Sequence, residues 1–372
     1  MLRGAALFLS AAAASAAAAA RGCLPLAPPG TLLGAAFGGS ADAATNARYL
    51  QTLAAGARLA QVSITWETLE PQPGVIDAGA LVQSLLGVRR LGLTPIVNIA
   101  AIDTNNVGVP ADLASPTDPT ALAPGLTWAS PVVVNRFALA LQTLAPIAAY
   151  YGAPYLGLGN EVDVNLGAHP ASAYAFVELV DVMAQWVRNV TSPDMAVGVT
   201  LTVGGVNAWG GSPPAWFGAL AQVADTTPLT YYPLSGAFDV LPPSVVAGAL
   251  AAAVAALPAD WCVILQEYGY PAGYNNASST DGSSYALQAA FVDAAFDAFG
   301  ALNGTTGRLR GASFCFFADV PPAECAALAR YYNVSAPAFL EYLCTLGLVA
   351  DGGAPKPAYG TFLQRLGQAA AA

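Results

Sequence analysis

The reading of the fold turns on Leu156-Gly157-Leu158-Gly159-Asn160-Glu161-Val162-Asp163. A short apolar run ends there in two polar residues, as a strand does on leaving a buried core. Gly157 and Gly159 begin like the phosphate-binding fingerprint that opens a doubly wound sheet, but Val162 occupies the place of the third glycine. A P-loop is also missing, because the sole lysine, Lys356, lies between two prolines near the C-terminus. For a chain of alternating strands and helices, a closed barrel is then the expected fold.

Working outward, eight nearly continuous apolar runs read as strands, at residues 32–37, 59–66, 95–100, 155–160, 196–203, 228–232, 262–266 and 311–317. Runs without polar alternation are what parallel strands buried on both faces require. Helical stretches follow at 41–55, 79–91, 132–151, 171–190, 214–223, 244–256, 285–302 and 337–346. Eight strand–helix units of roughly 40 residues each match a (β/α)8 TIM barrel of the α/β class, in a single domain. Long irregular segments leave strands three, seven and eight, at 103–130, 269–284 and 319–336. These are strand C-termini, the face on which such barrels carry their sites.

The 372 residues are 55% hydrophobic and 10% charged, with a net charge of −10, which suits a large core. The cationic side chains form no basic run, which argues against nucleic acid or an anionic membrane surface as partner. Residues 1–20 combine Arg3, an apolar run and an Ala-x-Ala end, the pattern of a signal peptide, leaving 21–372 as the barrel. Sequons at Asn189, Asn276, Asn303 and Asn333 extend this to a secreted, extracellular glycoprotein, with no membrane attachment after cleavage. Of Cys23, Cys262, Cys315, Cys325 and Cys344, the expected disulfide is Cys325–Cys344, and Cys262 and Cys315 are expected as buried thiols.

Exclusion narrows the chemistry. One histidine, His169, rules out zinc centres with two or three His ligands. No Gly-x-Ser-x-Gly elbow presents a serine, and a Schiff base would have to use Lys356. Neither a cofactor nor a metal is expected. Carboxylate chemistry survives. The chain has only seven glutamates, and two of them close apolar strands: Glu161, and Glu267 in Val263-Ile-Leu-Gln-Glu267-Tyr-Gly-Tyr-Pro271. Counting puts them on strands four and seven, on opposite sides of one mouth. Two carboxyls so placed suit cleavage of a glycosidic bond, with retention at a gap of about 5–5.5 Å. Repulsion and burial would separate their pKa values, leaving one protonated and one ionised.

Gly159-Asn160-Glu161 and Gln266-Glu267-Tyr268-Gly269, in that order and strand context, resemble the glycoside hydrolases of clan A. Ser63-Ile-Thr-Trp66-Glu-Thr-Leu-Glu70-Pro-Gln-Pro-Gly74, Tyr231-Tyr232-Pro233 and Ala354-Pro-Lys-Pro-Ala-Tyr359 extend the likeness over residues 32–366. The resemblance implies Glu161 as acid/base, Glu267 as nucleophile, Asn160 as ligand of the sugar 2-hydroxyl, and Tyr231 or Tyr232 as donor to Glu267. Asn98, Asp319 and His169 join the expected substrate-binding set. Trp66 is either a sugar platform or rim core. The chain departs from the pattern at strand eight, where Phe316-Phe317 stands in place of the usual tryptophan. Arg58 lies at the wrong end of strand two to be the arginine often found there. The implied activity is retaining hydrolysis of a β-linked poly- or oligosaccharide. Transglycosylation and a non-catalytic carbohydrate-binding barrel are the alternatives.

Overall fold

The computed structural model describes residues 32–36, 42–191, 195–274 and 281–371. The leader, Cys23 and the Asn276 sequon lie outside these residues. Eight strand positions surround one axis: β1 (Leu32–Ala35), β2 (Leu59–Thr65), β3 (Thr94–Ala100), β4 (Tyr155–Gly157), β5 (Ala196–Gly198 with Leu201–Thr202), β6 (Leu229–Tyr231), β7 (Val263–Tyr268) and β8 (Leu309–Phe314). Neighbours pair in parallel in chain order, and β1 pairs back onto β8 with Leu32 opposite Gly311. The first half of β5 pairs with β4 and the second half with β6. Both ends of the sheet order are therefore one chain segment, and the sheet closes as the expected TIM barrel.

That seam depends on a close approach. Gly198 bridges Thr226, and a Cβ at Gly198 would lie 1.9 Å from the Thr226 carbonyl oxygen. No side chain fits there without moving one strand.

Helices α1 (Ala43–Ala54), α2 (Gly79–Arg90), α3 (Pro131–Tyr150), α4 (Ala173–Val190), α5 (Ala215–Val223), α6 (Val246–Ala256), α7 (Tyr285–Thr306) and α8 (Pro357–Ala371) form the outer layer. Each turns an apolar stripe onto the sheet, as Phe137, Leu141 and Leu144 of α3 do. Helix α3 is the one described helix long and apolar enough to cross a membrane, but that stripe is buried in the barrel core.

The eighth helix is not the one the sequence predicts. The run at 337–346 forms a short helix, Pro337–Cys344, in the loop after β8. Its apolar residues pack with Val320, Cys325 and Leu346 in a cluster separate from the barrel core. Helix α8 closes the wall instead, burying Phe362 and Leu366. The Cys325–Cys344 disulfide is present, with Cα atoms 5.7 Å apart. Cys315 is a buried free thiol, as expected. Cys262 is disulfide-bonded rather than free, so burial alone did not identify its state.

Inside the barrel, Leu32, Leu59, Ile96, Tyr155, Ala196 and Ile264 form an apolar floor. Strand β7 breaks its own alternation above that floor. Ile264 faces the interior, and both Leu265 and Tyr268 face the helices. Register shifts on both flanks mark a bulge between Leu265 and Tyr268. The extra residue lets Gln266 and Glu267 both turn inward.

Gly198→Ala is expected to destabilise the fold by roughly 1–3 kcal/mol through forced separation at the seam. Urea denaturation measures it, and an unchanged midpoint would contradict this account of closure.

Candidate active site

Glu161 sits just past β4, at the start of the helix Val162–Ala168. Its backbone is left-handed, with φ 47° and ψ 42°, an uncommon and costly conformation for a residue with a Cβ. The neighbouring chain holds it there: Asn160 N–H donates to the Ile102 carbonyl (2.8 Å) and Val162 N–H to that of Thr200 (3.0 Å). The carboxylate accepts from Thr230 Oγ1 at 2.6 Å and from Thr104 Oγ1 at 2.7 Å. Burial, with the charge of Glu267 as the second cause, raises its pKa to about 8.

Glu267 faces the same space from the β7 bulge. One oxygen accepts from Gln61 Nε2 at 2.6 Å and the other from Tyr232 Oη at 2.8 Å. The Cys315 thiol lies 4.0 Å from the second oxygen. Burial raises the pKa of Glu267, and the Gln61 and Tyr232 hydrogen bonds oppose that rise by stabilising the anion. No arginine or lysine lines the cavity among the described residues. The two glutamates thus differ in their partners. Glu161 meets two aliphatic hydroxyls, and Glu267 meets an amide and a phenol.

A polar chain runs past the pair to the loops above. Thr200 Oγ1 donates to Gln266 Oε1 (2.9 Å), and Gln266 Nε2 donates to Asn160 Oδ1 (3.0 Å). Asn160 Nδ2 donates to Asp103 Oδ1 (3.1 Å), and Tyr331 Oη donates to Asp103 Oδ2 (2.9 Å). Both amide atoms of Asn160 are oriented by this chain. One Nδ2 hydrogen remains for a ligand in the cavity, which Asn160 lines.

The cavity has a volume of about 1230 Å³ and continues outward between α1 and α2. Five described non-glycine residues have positive φ, and four of them, Thr104, Glu161, Phe238 and Phe316, line this cavity. Unfavourable backbone is concentrated where the site is. Phe316, at φ 55°, stands where a strand-eight tryptophan was absent from the sequence, so an aromatic ring still borders the mouth.

Other expected residues lie elsewhere. Tyr232, not Tyr231, reaches Glu267; Tyr231 faces outward toward Phe291 of α7, and its hydroxyl has no partner. Trp66 is fully buried, packs on Phe137 and donates to Glu70 Oε2 at 2.6 Å. Glu70 in turn binds Arg136. That tryptophan is core, because the ion pair beneath the β2 turn needs its indole donor. Asn98 is completely buried beneath the mouth, against Gly157, and outside the cavity lining. Asp319 pairs with Lys356 Nζ at 2.6 Å and accepts from Gly347 N–H, since the buried ammonium requires a counter-charge. His169 meets Thr120 Oγ1 at 2.8 Å and ties two loops together outside the cavity. Arg58 donates to the Leu53 and Ala57 carbonyls at the far end of β2.

Sequence reasoning missed Gln61, Asp103, Thr104, Thr230 and Tyr331. Gln61 carried one signal: a polar residue inside the apolar run of β2, two positions from Leu59 and so on the same inward face.

No family model matches the sequence, and no curated protein matches it. Solved structures do. An exo-beta-1,4-mannosidase from Opitutaceae bacterium strain TAV5 matches with a TM-score of 0.64 at 18% identity, over 90% of this chain and 59% of that one. A GH5_18 protein from Streptomyces cattleya, in complex with Manβ1-4GlcNAc, gives 0.64 at 18%, over 90% and 80%. A family 39 glycoside hydrolase from Bacteroides cellulosilyticus WH2 gives 0.59 at 16%, over 91% and 64%. The chain has the barrel fold of these clan A glycoside hydrolases.

Proposed function

We propose that the protein is a retaining glycoside hydrolase acting on a β-linked oligo- or polysaccharide. The observation that carries the reading is the pair Glu161 and Glu267, turned into one cavity with unlike partners. Glu161, with its pKa near 8, holds a proton at neutral pH. Glu267, supported by two donors to its oxygens, is the better anion. The proton of Glu161 passes to the glycosidic oxygen while Glu267 attacks the anomeric carbon, and the leaving sugar departs with that proton. Glu161, now a carboxylate, takes a proton from water, and the hydroxyl displaces Glu267 from the glycosyl ester. Asn160 binds the 2-hydroxyl of the sugar in transit. The solved relatives make β-1,4-mannosides the first substrates to test.

We also propose that the protein is secreted and glycosylated. The Cys325–Cys344 disulfide and the exposed sequon residues Asn189 and Asn333 support it. Expressed in a eukaryotic secretory host, the protein is expected to leave the cell carrying glycan at Asn189 and Asn333. Intact mass spectrometry showing bare polypeptide in the medium would overturn the glycosylation.

Glu161→Gln and Glu267→Gln are each expected to lower kcat/KM by roughly 10²–10⁴-fold. The Glu161 variant should recover most of its rate on 2,4-dinitrophenyl glycosides, whose leaving group needs no proton, and the Glu267 variant should not. Equal recovery in both would reverse or remove the assigned roles.

The pH profile follows from the same two groups. Glu161 must be protonated, so activity falls as pH rises through about 8. Glu267 must be ionised, so activity falls as pH drops through its pKa, which burial raises above the usual carboxylate value. Gln61→Ala removes a donor to the anion. Loss of that donor is expected to move the acid limb to higher pH. An acid limb unchanged in this variant would mean that Gln61 does not tune Glu267.

A further inference from the structure

The segment after β8 folds into a helical hairpin, Pro322–Tyr332 and Pro337–Cys344, closed on itself by Cys325–Cys344. It has its own apolar core, centred on Phe339, Tyr342 and Leu343. Its base is fixed to the β7 loop. Thr345 Oγ1 accepts from Ala272 and Gly273 N–H, and the Glu341 carboxylate accepts from Tyr274 N–H at 2.9 Å. Lys356 Nζ donates to the Thr345 carbonyl, and Gln288 Nε2 to those of Leu346 and Gly347. Its tip is held by the β3 loop. Asn106 Nδ2 donates to the Tyr331 carbonyl at 2.7 Å, Asn105 Nδ2 to that of Tyr332, and Tyr331 Oη to Asp103.

Strands β8 and β3 stand three positions apart in the ring, so a hairpin tied to both loops reaches across the mouth. Its side also meets the β6 loop: Phe339 packs on Phe238 with centroids 4.8 Å apart, and Tyr342 packs on Tyr232 at 5.5 Å. Tyr232 is the donor to Glu267, so the hairpin covers Glu267 on its β6 side. A sugar whose anomeric carbon meets Glu267 has its ring under this roof. Its leaving group extends the other way, past Glu161.

We propose that the hairpin makes the site a chain-end pocket, which admits a sugar at the non-reducing terminus and excludes a chain continuing beyond it. The proposal rests on the glycoside hydrolase reading and adds the mode of action and the element that sets it. Asn106, Tyr331 and the Cys325–Cys344 bridge are positioning residues in it, since none acts on the reacting atoms.

The test uses β-1,4-linked manno- and gluco-oligosaccharides labelled at the reducing end, each free or capped at the non-reducing end by a 4,6-O-benzylidene group. The expected products are ladders shortened by one sugar at a time. Capped substrates should bind the Glu161→Gln protein at least about tenfold more weakly than free ones by calorimetry. Internal fragments as first products, or equal affinity for capped and free chains, would overturn the proposal. Asn106→Ala, and separately the double change Cys325→Ser with Cys344→Ser, should raise KM more than they lower kcat and should admit capped chains. Two folded variants that still exclude capped chains and keep the parent KM would remove the hairpin from the account. Full turnover in Glu161→Gln would instead overturn the functional reading, leaving the binding comparison to judge the pocket by itself.

Discussion

Two buried carboxylates share one cavity, and among the described residues no arginine or lysine lines it. Two like charges so placed repel strongly in low dielectric, so the ground state holds a proton on one of them. Everything around the pair serves to decide which. The donors that favour the Glu267 anion come from β2 and from the end of β6, and those that hold Glu161 come from the β3 loop and from β6. Gln61 and Glu267 are 206 residues apart in sequence. Such contacts exist only when the ring is closed, so the barrel seam at Gly198 and the protonation of Glu161 are linked through the same backbone.

The bulge in β7 is the local device that makes the pairing possible. Strict alternation would place Glu267 among the helices, where Tyr268 and Leu265 lie. One extra residue against β6 and β8 reverses that and also sends Gln266 inward, where it orients Asn160. A single irregularity thus turns Glu267 into the cavity and, through one amide, orients the residue beside Glu161.

The fold and the two glutamates were legible because both rest on local pattern. Continuous apolar runs announce parallel strands, and a carboxylate at the end of such a run has few structural uses. The supporting residues were not legible, because Thr104 and Thr230 are ordinary hydroxyls until closure brings them to Glu161. Asp319 was misplaced, and Trp66 took the core reading of its two, for a related reason. Each looked like a rim group in sequence, and each answers a buried charge, Glu70 beside Arg136 in one case and Lys356 in the other. The misread last helix shows the limit of periodicity. The run at 337–346 is apolar enough for a barrel wall, but its disulfide to Cys325 keeps it with the loop.

The left-handed residues have a consequence for how such a chain can change. Thr104, Phe238 and Phe316 each hold a conformation that glycine or asparagine would adopt more cheaply. Heat tolerance is therefore readily available at the mouth, and every step toward it removes a side chain that shapes the cavity. A lineage selected for thermal endurance alone would erode this rim first and keep the barrel intact.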